Sequence, residues 1–463
     1  MKLILSLLFF LLFVCNCVYS DNSLTLYVDP SNGSVDTRCG TTLQNSCKTF
    51  LLAYQSYSRQ TDGTNTTALI LSLVDGIYKA ADNDSTSLNP FFQYLQPGNH
   101  DLKIIITKIT FVNSYYIVNS IYGADVRFVN CVFTNSTAKG GLVNIIGGSF
   151  HLLNSLISEI KVPFNAIDIK DYSSALIENV TVSKVNGRAV FSVENSNVEF
   201  RNLLLTNSHA DSAPILISSS NVIVSKSTFT YNSGYKAGAL YIFQEGISRS
   251  TLVDASKFTH NQTPQQAGAI FHFTESNTKD INIIQNSIFD SNNASGDGFD
   301  RNYVILSNGL GGALFLEGGS VSIRNCSFDT NSASNAGGAI FSHRTKVYID
   351  HSPFNDNTSL EGGAIYSLKT WFYLTDSPYN GNYASLNGTN FLCRNSTVDI
   401  QAVDAITNDG YYCPVQDCSF STTPSHNFIC PPEISSGYKN NTPLSTISFF
   451  VFSLSFFLLS LLF

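Results

Sequence analysis

The stretch GGAIFSHRTKVYIDHSPFNDNTSLEGGAIYS, residues 337–367, begins to repeat itself before it ends. Gly-Gly-Ala-Ile-aromatic-Ser occurs twice at a spacing of 25 residues. A fixed period of this length outranks local propensity, because it means that the chain builds one unit many times and stacks the copies. Taking the aromatic of Phe354-Asn355-Asp356-Asn357 as an anchor, the same place is filled by Phe111, Phe133, Ile157, Val182, Leu205, Phe229, Phe258, Phe289, Phe328, Phe354 and Tyr379. The steps run from 22 to 26 residues, apart from three longer ones between Phe229 and Phe328, which read as insertions. Five residues before each anchor stand Ile106, Phe128, Leu152, Ile177, Phe200, Val224, Val253, Ile284, Ile323, Ile349 and Leu374, all apolar.

The fourth place of GGAIFS gives a second register: Val143, Ile167, Val190, Ile215, Leu240, Ile270, Leu314, Ile340 and Ile365. Aliphatic at every copy, it points into a core. Short β-branched segments, a cycle of about 24 residues and no helical periodicity between them describe a parallel β-helix, each cycle being one coil. Eleven coils at strand spacing make a rod roughly 50 Å long.

Asparagine recurs in step with the coils. Asn130, Asn154, Asn179, Asn202, Asn286 and Asn325 stand three residues before an anchor, and Asn232, Asn261, Asn292, Asn331, Asn357 and Asn382 three after one. Stacked amides can bond to one another along the axis, and Asn tolerates the left-handed backbone of a tight corner. The pairs Gly311-Gly312, Gly337-Gly338 and Gly362-Gly363 are expected to supply positive φ at another corner.

Both termini read as processing signals. Lys2 precedes an apolar run from Leu3 to Val14, and Val18-Tyr19-Ser20 fits a signal-peptidase site, which starts the mature chain near Asp21. At the other end Ile447 to Phe463 is an apolar run of 17 residues with no basic residue after it, short for a span and without a cytoplasmic flank. Small residues Ser435, Ser436 and Gly437, a polar spacer from Tyr438 to Thr446 and this tail fit a glycolipid (GPI) attachment signal better than a retained helix, with Asn440 a further candidate for the attachment point.

An extracellular setting agrees with the rest of the chain. Only 13% of the 463 residues are charged, and the net charge of −8 is spread without a basic run, which excludes nucleic acid and electrostatic docking on an acidic membrane surface. Twelve Asn-x-Ser/Thr sequons begin at Asn32, Asn65, Asn83, Asn135, Asn179, Asn261, Asn293, Asn325, Asn357, Asn387, Asn395 and Asn440. Eight cysteines follow residue 20. Cys39 and Cys47 lie close together, as do Cys393, Cys413, Cys418 and Cys430, and in an oxidising compartment they read as local disulfides of open connectivity rather than a metal site. Cys131 and Cys326 stand alone as buried thiols.

The alternation GGALFL…FDTN, GGAIFS…FNDN, GGAIYS…YNGN resembles the repeats of the chlamydial polymorphic membrane protein family, over about residues 229–382. That resemblance implies a β-helical surface adhesin, although the family's C-terminal outer-membrane barrel has no counterpart in this sequence. More broadly the chain is similar to pectin-lyase-like right-handed β-helix proteins. In that group YVDPSNGSVDTRCGTTLQNSCKTF, residues 27–50, resembles the strand and loop that lead into a capping helix.

Lyases and hydrolases share this architecture, so fold alone does not choose between chemistry and binding. Directly after the anchor, Asp290 and Asp329 are the only acids in a column that, past Val112, is otherwise Thr, Ser and Asn. Glu317 and His343 are expected one rung apart with Arg344 beside them, and Asp168-Ile169-Lys170-Asp171 is a further acidic spot. Each reads as a surface contact rather than an acid/base couple, and no H-E-x-x-H or G-x-S-x-G motif is present, so no catalytic residue, metal ligand or cofactor is assigned. The fifth place of the GGAIFS register instead offers Asn144, Asp168, Phe191, Leu216, Tyr241, Phe271, Phe315, Phe341 and Tyr366. Phe191, Tyr241, Phe271, Phe315, Phe341 and Tyr366 are expected to form an outward aromatic stripe able to bind a glycan or a cell-surface protein, unless the insertion at residues 292–310 covers it.

The sequence thus predicts an all-β chain, a single-stranded right-handed parallel β-helix of about eleven coils. Residues 1–20 form a leader, 21–100 an N-terminal cap, 101–382 the coils, 383–434 a Cys-containing C-terminal cap and 435–463 the lipid-attachment signal. The expected role is non-enzymatic adhesion or recognition at the outer face of the plasma membrane. A polysaccharide lyase or hydrolase and an inert coat or spacer are the alternatives.

Overall fold

The structure, a computed structural model, describes residues 103–401 with gaps at 113–117, 138–139, 247–248, 276–280 and 296–308. It also describes the shorter segments 23–28, 36, 38, 41–46, 56, 68–73, 76–79, 92–93, 411–412 and 418–423. The chain divides into Met1–Cys430 and Pro431–Phe463, and every described residue lies in the first unit.

The described chain is a parallel β-solenoid of about eleven turns. One turn shows the plan. Ile340–His343 lies in a first sheet, Lys346–Asp350 in a second, and Phe354–Asn355 with Thr358–Glu361 in a third. Ile365–Leu368 then pairs residue for residue with Ile340–His343 to begin the next turn. The first and second sheets each contain 13 strands, every one parallel to its neighbours.

Period-2 alternation along each short strand sends alternate side chains inward, and stacking turns the inward places into continuous columns. Phe229, Phe258, Phe289, Phe328 and Phe354 are wholly buried. Their rings stack with centroids 4.7 to 5.0 Å apart and planes within 6°. The column from Ile106 to Leu374 is buried along its whole length. The register of the first sheet corrects one position. Phe191 pairs with Ile167 and Ile215, so it belongs to the inward column, and Ser192 takes the outward place next to Asp168 and Leu216.

The two asparagine columns do different work. Asn130, Asn154, Asn179, Asn202, Asn286 and Asn325 have φ between 49° and 55° and sit exposed at the corner between the second and third sheets. Asn232, Asn261, Asn292, Asn331 and Asn357 are 0% exposed and Asn382 is 5%. In this inner ladder each Nδ2 and each backbone N–H donates to the Oδ1 of the next Asn, at 2.9 to 3.2 Å from Asn232 to Asn382. The second Nδ2 hydrogen reaches a main-chain carbonyl, as in Asn331 to Phe289 O at 2.9 Å. Every amide is therefore satisfied without water, which is what allows a polar column inside the solenoid.

The paired glycines also divide their roles. Gly337 has φ +69° and supplies the left-handed corner expected of it. Gly338 is required for a different reason: a Cβ there would lie 2.0 Å from Gly363 O in the next turn.

Stacking continues past residue 382, where the sequence repeat ends. Phe391–Arg394 and Tyr411–Tyr412 extend the first sheet, and Ser396–Gln401 and Cys418–Thr423 the second. A disulfide between Cys393 and Cys418 ties these last turns together. Cys39, Cys47, Cys413 and Cys430 lie outside the described residues, as does the segment beyond residue 50, apart from Ser56, where a capping helix is expected.

Candidate functional site

The aromatic column of the first sheet exists, but most of it is covered rather than presented to solvent. Tyr241, Phe271, Phe315, Phe341 and Tyr366 stack with centroids 4.6 to 5.2 Å apart. A cation caps each end, Lys236 Nζ 4.7 Å above Tyr241 and Arg394 Cζ 5.8 Å from Tyr366. The four rings from Phe271 to Tyr366 are only 4–7% exposed. Ala213, Ala237, Ala267, Ala336 and Leu310 pack with them as a second apolar cluster outside the main core. The alanines come from the bend that precedes each first-sheet strand, so the repeat unit folds over its own aromatic. Burial pushes the Tyr366 phenol up to about 12, raises that of Tyr241 and lowers the Lys236 ammonium. Of the insertion expected to cover the stripe, residues 296–308 lie outside the described residues, while Leu310 packs on the column.

The acidic candidates are brought together as the register predicts, and each is engaged. Asp290 and Asp329 are neighbours across two turns. Asp290 accepts from Thr330 Oγ1 and Ser291 Oγ, both at 2.8 Å, and Asp329 accepts from Asn355 Nδ2 at 2.7 Å and from Ser327 Oγ. Glu317 and His343 stand in register, with Oε1 3.1 Å from Nδ1. Asp168 pairs with Lys170 at 3.3 Å and accepts from Asn165 Nδ2 at 3.0 Å.

The second sheet presents what the sequence reading missed. In Trp371–Thr375, Phe372 and Leu374 point inward and are wholly buried, which sends Trp371 and Tyr373 outward. Trp371 is 43% exposed, and Tyr348, one turn earlier, 40%. Tyr348 and Tyr373 stack at 4.9 Å with planes 6° apart, and Trp371 lies 5.6 Å from Tyr373. Lys346 Nζ sits 5.5 Å from the indole centroid. At the edge of this patch His351 reaches Asp350 with Nδ1 at 2.7 Å and Asp376 with Nε2 at 3.5 Å. These ligand-type atoms lie within 4.8 Å of one another, a spacing compatible with a cation, although the imidazole already bonds Asp350. The readable signal was the chain's single Trp, placed in a strand whose alternate residues belong to the core columns. Further along the same outward face, His151, Leu176, Glu199 and Ile223 floor a shallow groove of about 470 Å³.

The sequons separate by burial. Asn135, Asn179, Asn325 and Asn395 are exposed, and Asn293 and Asn387 half-buried. Asn261 and Asn357, expected as acceptors, are instead rungs of the inner amide ladder, 0% exposed with both Nδ2 hydrogens bonded, which leaves no space around them for a glycan in the folded chain. Asn32, Asn65, Asn83 and Asn440 lie outside the described residues, as do Ser435, Ser436 and Gly437. No described helix is long and apolar enough to cross a membrane.

The sequence pattern of the right handed beta helix region matches residues 143–302, and that of the Chlamydia polymorphic membrane protein repeat matches residues 325–343. The chain is a β-helix protein with polymorphic-membrane-protein-like repeats. The matched repeat holds Asn325, Asn331 and the Gly337-Gly338 pair, so the β-helix takes its exposed corner, its inner ladder and its close glycine approach from the motif itself. No curated protein matches the chain. Two solved structures of the GH136 lacto-N-biosidase from Eubacterium ramulus, the native protein and a selenomethionine derivative, are similar at 9% identity. The match covers 86% of this β-helix and 68% of that chain, with TM-scores of 0.33 and 0.31, too loose to bear on function.

Proposed function

We propose that this β-helix is a cell-surface recognition protein, exported by the leader at residues 1–20 and held at the membrane by a lipid added near Ser435, Ser436, Gly437 or Asn440. The repeat type supports a surface protein. The observation that carries the recognition reading is the outward trio of exposed Tyr348 and Trp371 and half-buried Tyr373. Keeping large aromatic side chains in water on a sheet face whose inward columns already secure the fold contributes little to stability and much to contact area. Display of many copies on one membrane would strengthen weak single contacts.

The test uses cells that carry the whole protein. Phosphatidylinositol-specific phospholipase should release it, and the displayed protein should retain partner cells or glycan-coated beads without generating new reducing or unsaturated ends. Product release abolished by an Asp290→Asn/Asp329→Asn double variant would establish an enzyme. Neither retention nor product would leave a spacer.

A further inference from the structure

We propose that Trp371, Tyr373 and Tyr348, with His351 and its two carboxylates at one end, form a binding site for a neutral glycan; this rests on the recognition reading above.

A sugar ring has an apolar C–H face and a rim of hydroxyls, so its site needs an aromatic surface beside fixed hydrogen-bonding groups. Both are present within two turns. Tyr348 stacks on Tyr373 at 4.9 Å, but the next turn places Asp399 in register with Tyr373 and Thr397 in register with Trp371. The aromatic ladder therefore stops at the Trp371/Tyr373 rung, where short side chains follow. A pyranose laid there takes the place of the next ring. Asp350 bonds His351 through one oxygen and Asp376 lies 3.5 Å from the other ring nitrogen through one oxygen, which leaves carboxylate oxygens as acceptors for hydroxyls.

The surroundings select the ligand's charge and class. Asp350, Asp376 and Asp399 stand among Lys346, which lies over the indole, and Arg324, in register with Asp350, so the patch carries both signs and offers no positive field to a polyanion. A peptide strand has no free edge to join, because the strands at Lys346–Asp350 and Trp371–Thr375 are paired on both sides. Other turns carry no aromatic in the place of Tyr348, with Ser322 one turn before it and Ile283, Leu252, Ile223, Glu199 and Leu176 in the turns before that, so the fold does not demand aromatics here.

The single Trp makes the site report on itself. The full chain, purified in a detergent without a sugar headgroup, is titrated with chitotetraose, cellotetraose, mannotetraose and polygalacturonate while Trp371 emission is followed. At least one neutral tetrasaccharide should shift the emission saturably, polygalacturonate should not, and Tyr373→Ser, which keeps the reporter, should weaken the affinity tenfold or more. A flat response to all three neutral sugars, a response to polygalacturonate alone, or an unchanged affinity in Tyr373→Ser would overturn the assignment. Cells displaying a Tyr348→Ser/Trp371→Ser/Tyr373→Ser variant separate the two claims. Undiminished retention by this variant removes the site and leaves the recognition reading standing, whereas reducing ends released by the wild type remove the recognition reading itself.

Discussion

Asn331 Nδ2 donates to Asn357 Oδ1 at 3.0 Å, and the backbone N–H of Asn331 shares the same oxygen at 3.0 Å. The arrangement turns one side chain into both a rung and a corner clamp. Asn331→Ala removes the acceptor for two donors of Asn292 and the donor to Phe289 O, all buried. The expected loss is about 3 kcal/mol, from unsatisfied buried groups more than from lost contacts. Asn331→Asp should be worse, since it sets a carboxylate oxygen against Asn357 Oδ1 and Phe289 O. Urea denaturation of the purified variants checks both.

The covered aromatic column changes an expectation about stability. Phe341→Ala should cost about 3–5 kcal/mol and Ile340→Ala about 2–5 kcal/mol, because both side chains leave cavities in closed clusters. An exposed Phe341 would have made its loss nearly neutral. Equal melting shifts for the two variants support the covered column.

How far the sequence was legible follows from which residues carry their own signal. The coil register could be read because Ile349, Phe354 and Asn357 recur at fixed offsets, and each offset corresponds to one inward column. Phe191 could not be placed by counting. In that turn the N–H groups of Val190 and Phe191 both reach Pro214 O, at 2.8 and 3.2 Å, so the strand starts one residue out of step with its motif. The cover over Phe341 was hidden for another reason: Ala336 looks like a loop residue until the bend at Gly337 lays it on the aromatic column. The outward Tyr348, Trp371 and Tyr373 follow from plain alternation along the second-sheet strands, but they lie outside the GGAIFS repeat and so share no motif with it.

The unpaired cysteines occupy places that serine fills elsewhere. Cys326 Sγ donates to Ile284 O and Arg324 O, and its N–H donates to Ser352 Oγ at 3.1 Å, as Ser256 N–H does to Ser287 Oγ. Cys326→Ser should therefore change stability by less than about 1 kcal/mol. Burial pushes the Cys326 thiol up to about 12 and raises that of Cys131. The folded state thus holds these protons more tightly than the unfolded one. Their contribution is complete below about pH 9 and is lost as pH rises towards 12, so stability should fall over that window and less steeply in Cys326→Ser. Iodoacetamide should label Cys326 only after denaturation.

Glycan occupancy separates the exposed corners from the inner ladder. Peptide mass spectrometry of protein from secreting cells should find glycans among Asn135, Asn179, Asn325 and Asn395 and none at Asn261 or Asn357. Occupied Asn357 in folded protein would contradict the ladder.

Which aromatic face the molecule presents to its surroundings is decided most directly by hydroxyl-radical footprinting of the native full chain. Tyr348 and Trp371 should be oxidised rapidly, while Phe271, Phe315 and Phe341 stay at the level of the core residue Phe354. Rapid oxidation of Phe271, Phe315 and Phe341 with protection of Trp371 would reverse the two faces and contradict the account.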